Sequence, residues 1–547
     1  MLDDTHKLAI ETINLGKQAL IFVPSRASAE KTAEEISKLT TISLHDLEQE
    51  VLKVITFPTK QCRRLSHCVK KGIAFHHSGL TSPQKEILER EFRAGRIKII
   101  CCTPTLAAGL SLPVYRVIIK SLRRFSEKSG MDWIPVLEYL QMAGRAGRPE
   151  YEKLGEAIVI TKTESEKEEI YSRYILGEPE DIYSKLAVEP VLRTYLLSLI
   201  SSRIIRDEES MSKFFLQTFW AHQFQDLPRL TSIINRMLKL LSEWQFVTVS
   251  GDDNISNQDK NSLASSNGPD FVSASSLNKP LGMKVQPTAI GKRISELYLD
   301  PLTARHLLDC LNQLSNQNKD PETPENLTKP NNNSSQITSA SDSFPLLQMI
   351  SHTLEMRPLL RTKSKEQDSI QEELTKNYSI LLEHEPNVYD LEYPEFIDSI
   401  KTALFFCGWI NEIGEDYLLD KYDIRPGEIK VKLEIADWLL YSTEELAKLT
   451  IRREDINQIR KLRLRIKYGV KEELLPLLKL KGVGRIRARK MFNQGIKDLG
   501  DLKKVDPANL SQIVGRNVAA GIKKQIGDEV KEIPKGTRKG QLSLSKY

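Results

Sequence analysis

Ala19-Leu20-Ile21-Phe22-Val23-Pro24-Ser25-Arg26 is the stretch on which the fold turns. An unbroken apolar run this short, stopped by Pro24 and Ser25 and followed by a helix beginning near Ser28, reads as a strand buried on both faces. The same signature returns in Ile97-Lys98-Ile99-Ile100-Cys101-Cys102, in Val117-Ile118-Ile119 and in Glu156-Ala157-Ile158-Val159-Ile160. Amphipathic helices separate these runs, so the strands are expected to pair in parallel with helices over both faces of the sheet. Residues 1–178 are therefore read as one α/β domain.

A chain of 547 residues exceeds what one core spans, and about three to five units are expected. Leu230 to Trp244 reads as an amphipathic helix, with Phe246-Val247-Thr248-Val249 and Met283-Lys284-Val285 as a two-stranded wing, which makes 179–299 a winged-helix domain. Its Ser/Asn/Asp-rich stretch 251–282 has too few apolar residues to fold and is expected to be a disordered insert. Helical spacing in Ile400-Lys401-Thr402-Ala403-Leu404-Phe405-Phe406 and in Ile435-Ala436-Asp437-Trp438-Leu439-Leu440 makes 300–450 a mostly α bundle, with a second such insert at 312–343. The next unit, 451–533, contains Leu478-Lys479-Leu480-Lys481-Gly482-Val483-Gly484-Arg485-Ile486-Arg487-Ala488. That is a helix-hairpin-helix pattern, whose glycines let backbone N–H groups approach a phosphate. Residues 534–547 form a tail.

The net charge of +6 is unevenly spread: residues 451–547 hold 25 Lys and Arg against 10 Asp and Glu, a surplus of 15, which leaves the first 450 residues at −9. A basic folded domain beside an acidic body points to a polyanion contact. Six cysteines in so long a chain make no disulfide framework, and no apolar run approaches the roughly 18 residues of a membrane helix, so a reducing, cytoplasmic setting and no membrane contact are expected. Cys62 and Cys68, near His67, His76 and His77, lack the spacing of a zinc site, and no metal site is expected of this chain alone.

The sharpest chemical signal is Gln141-Met142-Ala143-Gly144-Arg145-Ala146-Gly147-Arg148-Pro149. Two arginines three apart on glycine-flanked backbone can project together toward an anion. Phosphoryl transfer needs such groups, because charge builds on the phosphate oxygens and a rigid guanidinium neutralises it, an effect worth about a thousand-fold or more in rate. The two guanidinium groups are expected at the carboxyl edge of the sheet. No G-x-x-x-x-G-K-[ST] loop and no D-E-x-H tetrad is present, and Gly291-Lys292-Arg293 is the nearest approach to the former. The chain is therefore not expected to hydrolyse ATP unaided.

In order and context the loops that follow the strands resemble motifs of superfamily 2 helicases. Phe22 to Arg26 resembles motif IV, Phe75-His76-His77-Ser78-Gly79-Leu80 motif IVa, Cys102-Thr103-Pro104-Thr105-Leu106-Ala107-Ala108-Gly109-Leu110-Ser111-Leu112-Pro113 motif V, and Gln141 to Pro149 motif VI. Together with Gly408-Trp409-Ile410-Asn411-Glu412 through Trp438 and the turn near Gly482, they are similar to the archaeal helicase-308 family, Ski-two-like DNA helicases. The resemblance covers nearly the whole chain and begins at that family's second RecA-like domain. It implies ATP and Mg2+ held with a first RecA-like lobe, in cis or in trans, and translocation three-prime to five-prime on single-stranded and forked DNA in replication-fork repair.

Residue by residue, the resemblance implies catalytic roles for Gln141, Arg145 and Arg148, nucleotide contact at Thr103, Gly109 and Gly144, and DNA contact at His77 and Thr105. Lys120 to Tyr139 would be a strand-separating hairpin with Phe125 or Trp133 as its apolar tip; a plain sheet-edge connection is the alternative. Trp438 would stack on single-stranded DNA, or serve as an ordinary core residue. The family's basic partner to it falls on Val431, flanked here by Lys430 and Lys432. Gly482, Gly484, Arg485, Arg487 and Arg489 would face the DNA backbone. Gln541, Leu544 and Tyr547 resemble the anchors of a sliding-clamp-binding peptide. Two other readings stay open: a non-catalytic DNA-binding adaptor derived from a helicase, and part of an RNA helicase.

Overall fold

The computed structural model describes residues 3–54, 58–104, 106, 112, 114–126, 130–147, 154–250, 283–317, 343–450 and 453–527. They divide into two units, Met1–Ile182 with Glu415–Lys432, and Tyr183–Gly414 with Leu433–Tyr547.

The strands of the first unit are β1 (Ala19–Phe22), β2 (Ile73–His76), β3 (Ile99–Cys102), β4 (Arg116–Ile119), β5 (Arg123–Ser126), β6 (Gly130–Trp133) and β7 (Glu156–Val159). Five form a sheet in the order β2-β3-β1-β4-β7. Every neighbouring pair is parallel, as the apolar runs require. β1 to β4 are buried at every position, so the sheet interior is dry and each large apolar side chain contributes about 1.5–3 kcal/mol. The covering helices are α1 (Asp4–Asn14), α2 (Arg26–Ser37), α3 (His45–Lys53), α4 (Lys60–Lys70), α5 (Ser82–Arg93), α6 (Val136–Ala143) and α7 (Glu164–Ile170). Their starts are written locally: the Ser25 hydroxyl accepts from the Ser28 N–H at 3.2 Å, and Thr81 with Gln84 forms a capping box ahead of α5.

The second unit opens with α8 (Glu189–Ser201), α9 (Glu208–Leu216), α10 (Phe219–Phe224) and α11 (Leu227–Glu243). β8 (Val247–Ser250) then pairs antiparallel with β9 (Lys284–Pro287), ahead of α12 (Ala289–Glu296). Gly291, the nearest approach to a phosphate loop, has a packing role: a Cβ there would lie 1.9 Å from the Phe246 carbonyl oxygen. α13 (Pro301–Gln317) corrects the expected boundary of the second insert. Residues 312–317 continue this helix because Leu307, Leu311 and Leu314 form one buried stripe. The first insert, 251–282, and residues 318–342 lie outside the described residues.

The bundle continues through α14 (Phe344–Ser351), α15 (Gln367–Asn377) and α16 (Tyr393–Ile410). α17 (Glu415–Tyr422) and the start of α18 (Pro426–Thr450) belong to the first unit, although the sequence reading places them inside the bundle. α19 (Arg453–Tyr468) precedes a compact cluster of α20 (Arg485–Asn493), α21 (Leu499–Lys504), α22 (Pro507–Val514) and α23 (Arg516–Gln525). That cluster has a core of its own, in which Leu474, Leu477, Met491, Leu502, Leu510 and Ile522 are fully buried.

Candidate functional site

The arginine turn is built from the end of α6. Glu180 accepts from the backbone N–H groups of Val136 at 2.6 Å and Leu137 at 3.1 Å, which satisfies the helix start. Those same bonds hold the Glu180 carboxyl below its usual range. At the other end the chain turns at Gly144, and the Val114 N–H donates to the Arg145 carbonyl at 3.0 Å while the Gly147 N–H donates to the Val114 carbonyl at 2.7 Å. Gly147 adopts φ +86°, open to glycine at little cost. Gly155 packs so closely that a Cβ on it would lie 2.2 Å from the Gly147 nitrogen. Arg145 is half-buried and Gln141 is exposed on the last turn of α6. Arg148 lies outside the described residues.

Val114 lies two residues before β4 and Gly155 immediately precedes β7, so the arginine turn stands at the amino edge of the sheet. This corrects the expectation of the carboxyl edge. The reason is topological: in a parallel sheet a helix returns the chain to the amino end before the next strand begins.

The carboxyl edge carries the loops after β1, β2 and β3. Thr103 follows β3 and is half-buried, whereas Thr105 and Gly109 lie outside the described residues. His77 follows β2 and is only 1% exposed, which corrects its assignment to DNA. Its ring stacks on Phe75 with centroids 5.6 Å apart, its Nδ1 accepts from the Gly79 N–H at 3.1 Å, and its Nε2 lies 3.2 Å from Glu30 Oε1. Glu30 is as deeply buried as His77. Burial pushes its carboxyl up, but His77, the Gln61 amide at 2.8 Å, Arg425 and Arg64 outweigh that and bring it down to about 2. Sequence reasoning missed Glu30, which reads as one acid among several on an amphipathic helix.

Lys432 is also corrected. It is buried on α18, and the cost of charging it there lowers its ammonium to about 8. Lys430 is exposed.

β5 and β6 pair antiparallel from Arg123↔Trp133 to Ser126↔Gly130. Trp133 therefore sits at the base of this hairpin, not at its tip. Its ring packs under the Arg123 guanidinium at 4.1 Å and 6.0 Å from the Tyr174 ring. Phe125 faces Met131 in the register, and Met131 is 58% exposed.

In the second unit Trp438 is half-buried, with its indole N–H donating to the Leu297 carbonyl at 3.2 Å. Gly482 adopts φ +84° and Gly484 caps α20, the conformation a tight glycine turn requires. Arg487 donates to the Gly482 carbonyl at 2.9 Å. Arg485 donates to the Ile413 carbonyl at 2.9 Å and lies 5.2 Å from the Trp409 ring. Arg489 pairs with Glu412 at 2.6 Å and with Glu473 at 2.7 Å, so its charge is spent inside the unit. Gln541, Leu544 and Tyr547 lie outside the described residues.

Among the described residues no group of three or more His, Cys, Asp or Glu could hold a metal ion. Among the same residues no helix is long and apolar enough to cross a membrane.

A family model described as "Helicase conserved C-terminal domain" matches residues 3–150, and one described as "Archaeal helicase, domain 4" matches residues 344–469. The chain is 35% identical over 555 residues to ATP-dependent DNA helicase Hel308 of Methanococcus vannielii, an alignment covering 99% of this chain and 68% of that protein. Against Hel308 of Pyrococcus abyssi it is 35% identical over 547 residues, 98% of this chain and 67% of that one. Against Hel308 of Methanocella arvoryzae the identity is 32% over 560 residues, 100% of this chain and 68% of the other. Similarity of this extent runs through the parallel sheet and the helical unit alike, and with it the chain belongs to the Hel308 family of helicases.

Proposed function

We propose that this chain is the nucleotide-sensing and DNA-gripping part of an ATP-dependent DNA helicase that moves three-prime to five-prime and acts in replication-fork repair. A first RecA-like lobe, joined in cis or in trans, supplies the phosphate cradle and the magnesium ligands. Arg145, with Arg148 and Gln141, approaches the terminal phosphate from this side, where a fixed positive charge stabilises the transition state. Thr103, Gly109 and Gly144 contact the nucleotide. Thr105, Lys430, Trp438 and the Gly482–Gly484 turn hold DNA, and the β5–β6 hairpin parts the strands. A winged helix over 179–299 and a helix-hairpin-helix over 451–533 complete the assembly, and the tail docks on a sliding clamp.

The observation that carries this reading is the backbone clamp on Arg145. Hydrogen bonds to Val114 and the Gly147–Gly155 contact fix the turn independently of any ligand, which is the preorganisation such a charge needs. Mixing the chain with a separately made first lobe should produce DNA-stimulated ATP hydrolysis, and Arg145→Ala should reduce its turnover by about a thousand-fold. Hydrolysis indifferent to Arg145→Ala would favour the adaptor reading. Competition between DNA and RNA strands of equal length distinguishes the two nucleic acids.

A further inference from the structure

The segment that begins α18 is held against the carboxyl-edge loops of the first unit by contacts that no motif assignment uses. Arg26, the first residue of α2, pairs with Glu428. The second Glu428 oxygen accepts from the Arg425 N–H at 2.9 Å. The Gly427 N–H donates to the Gly79 carbonyl at 3.0 Å. Neither glycine leaves room for a side chain: a Cβ on Gly427 would lie 2.5 Å from the Ser78 carbonyl oxygen, and one on Gly79 would lie 2.9 Å from Arg425 Cβ. Beneath this backbone contact Glu30 joins His77 of the same loop to Gln61, Arg64 and, at 3.9 Å, Arg425. Lys60 on α4 and Asp420 on α17 add a pair at 2.8 Å.

We propose that Glu30 and Glu428 are positioning residues which latch the first turn of α18 to the loops after β1 and β2, so that a displacement of those loops is delivered directly to the helix that bears Lys430 and Trp438. The inference rests on the motor reading above for its purpose, but not for its structure. Backbone packed on backbone has no rotamer to yield, and a buried carboxylate held by several donors has one low-energy arrangement. The contact therefore transmits movement instead of absorbing it.

Glu428→Arg places a third cation beside Arg26 and Arg425, and Arg26→Glu in the same chain restores a pair of opposite sign. In the chain alone, amide hydrogen exchange at Gly427, Glu428 and Ile429 should quicken in Glu428→Arg, with exchange in β1 to β4 unchanged, and should return toward the original rates in the double variant. Unaltered exchange at Gly427 overturns the latch. In the chain combined with a first lobe, Glu428→Arg should open roughly tenfold fewer base pairs per ATP while ATP turnover stays within about twofold, and the double variant should recover the yield. An unchanged yield per ATP overturns the coupling. If the unaltered combination neither hydrolyses ATP nor unwinds, the motor reading fails, and the exchange measurement still decides the latch.

Discussion

Histidine 352 illustrates how single side chains in this molecule hold elements together. Its Nδ1 lies 2.9 Å from both Glu383 oxygens, with His306 Nδ1 3.6 Å from the same carboxylate and the Gln348 amide donating to it. Burial lowers the His352 imidazole, but the Glu383 contact and charge outweigh it, so the group lies above its ordinary 6.5. Glu383 is pushed up by burial and held below its ordinary 4.5 by His352, His306 and Gln348. A raised histidine contributes stability that is complete below its unfolded value and is lost as pH rises through its folded value. A lowered carboxyl contributes stability present above its unfolded value and lost as pH falls through its folded one. The pair therefore stabilises most between those limits. The melting temperature of the chain should exceed that of His352→Gln in mildly acidic solution, and the two should converge as pH rises through the raised value of His352. A gap that stays constant with pH would show the pair does not titrate on folding. Not every such role was legible in the sequence. His77 carries a motif, and a motif gives order along the chain without giving direction in space, so a buried loop brace was read as a DNA contact.

At the scale of elements, what could be read was whatever periodicity writes. The apolar runs at Ala19, Ile97, Val117 and Glu156 named four of the five parallel strands, because burial on both faces demands continuous apolar residues. The edge on which the arginine turn stands was not legible, since it depends on where α6 ends and on the pairing of Val114 with Ala146. Nor was the anatomy of the β5–β6 hairpin, where register puts Trp133 at the base and leaves Met131 exposed toward the turn. Trp133→Ala should lower the stability of this unit by about 1–3 kcal/mol in thermal unfolding, because the indole is partly buried against Tyr174 and Arg123. If the hairpin parts the strands as proposed, Met131→Asp should leave melting unchanged and slow strand displacement about tenfold, since an apolar contact replacing base stacking is worth about 1–3 kcal/mol per base. Equal displacement by Met131→Asp and the unaltered motor would remove this hairpin from strand separation.

For the whole molecule, charge and geometry divide the work of the basic end. The surplus of 15 positive charges in residues 451–547 predicts DNA affinity that falls steeply with salt. Arg487 and Arg489 are close in sequence and differ in surroundings: among the described residues one donates to the Gly482 carbonyl within its own turn, while the other bridges Glu412 and Glu473. Arg487→Ala should weaken binding evenly across sequences and reduce the salt slope by about 1. Arg489→Ala should chiefly lower the melting temperature, by leaving two carboxylates short of their partner. Salt titration of both variants, with melting alongside, separates the two roles. In the first unit the arginine turn and the strand-end loops occupy opposite margins of one sheet, about 13 Å apart for strands of four residues. On the proposed reading, a nucleotide meeting both Arg145 and Thr103 would have to extend across that distance, and an inhibitor confined to the turn should compete with ATP without closing the opposite loops to DNA.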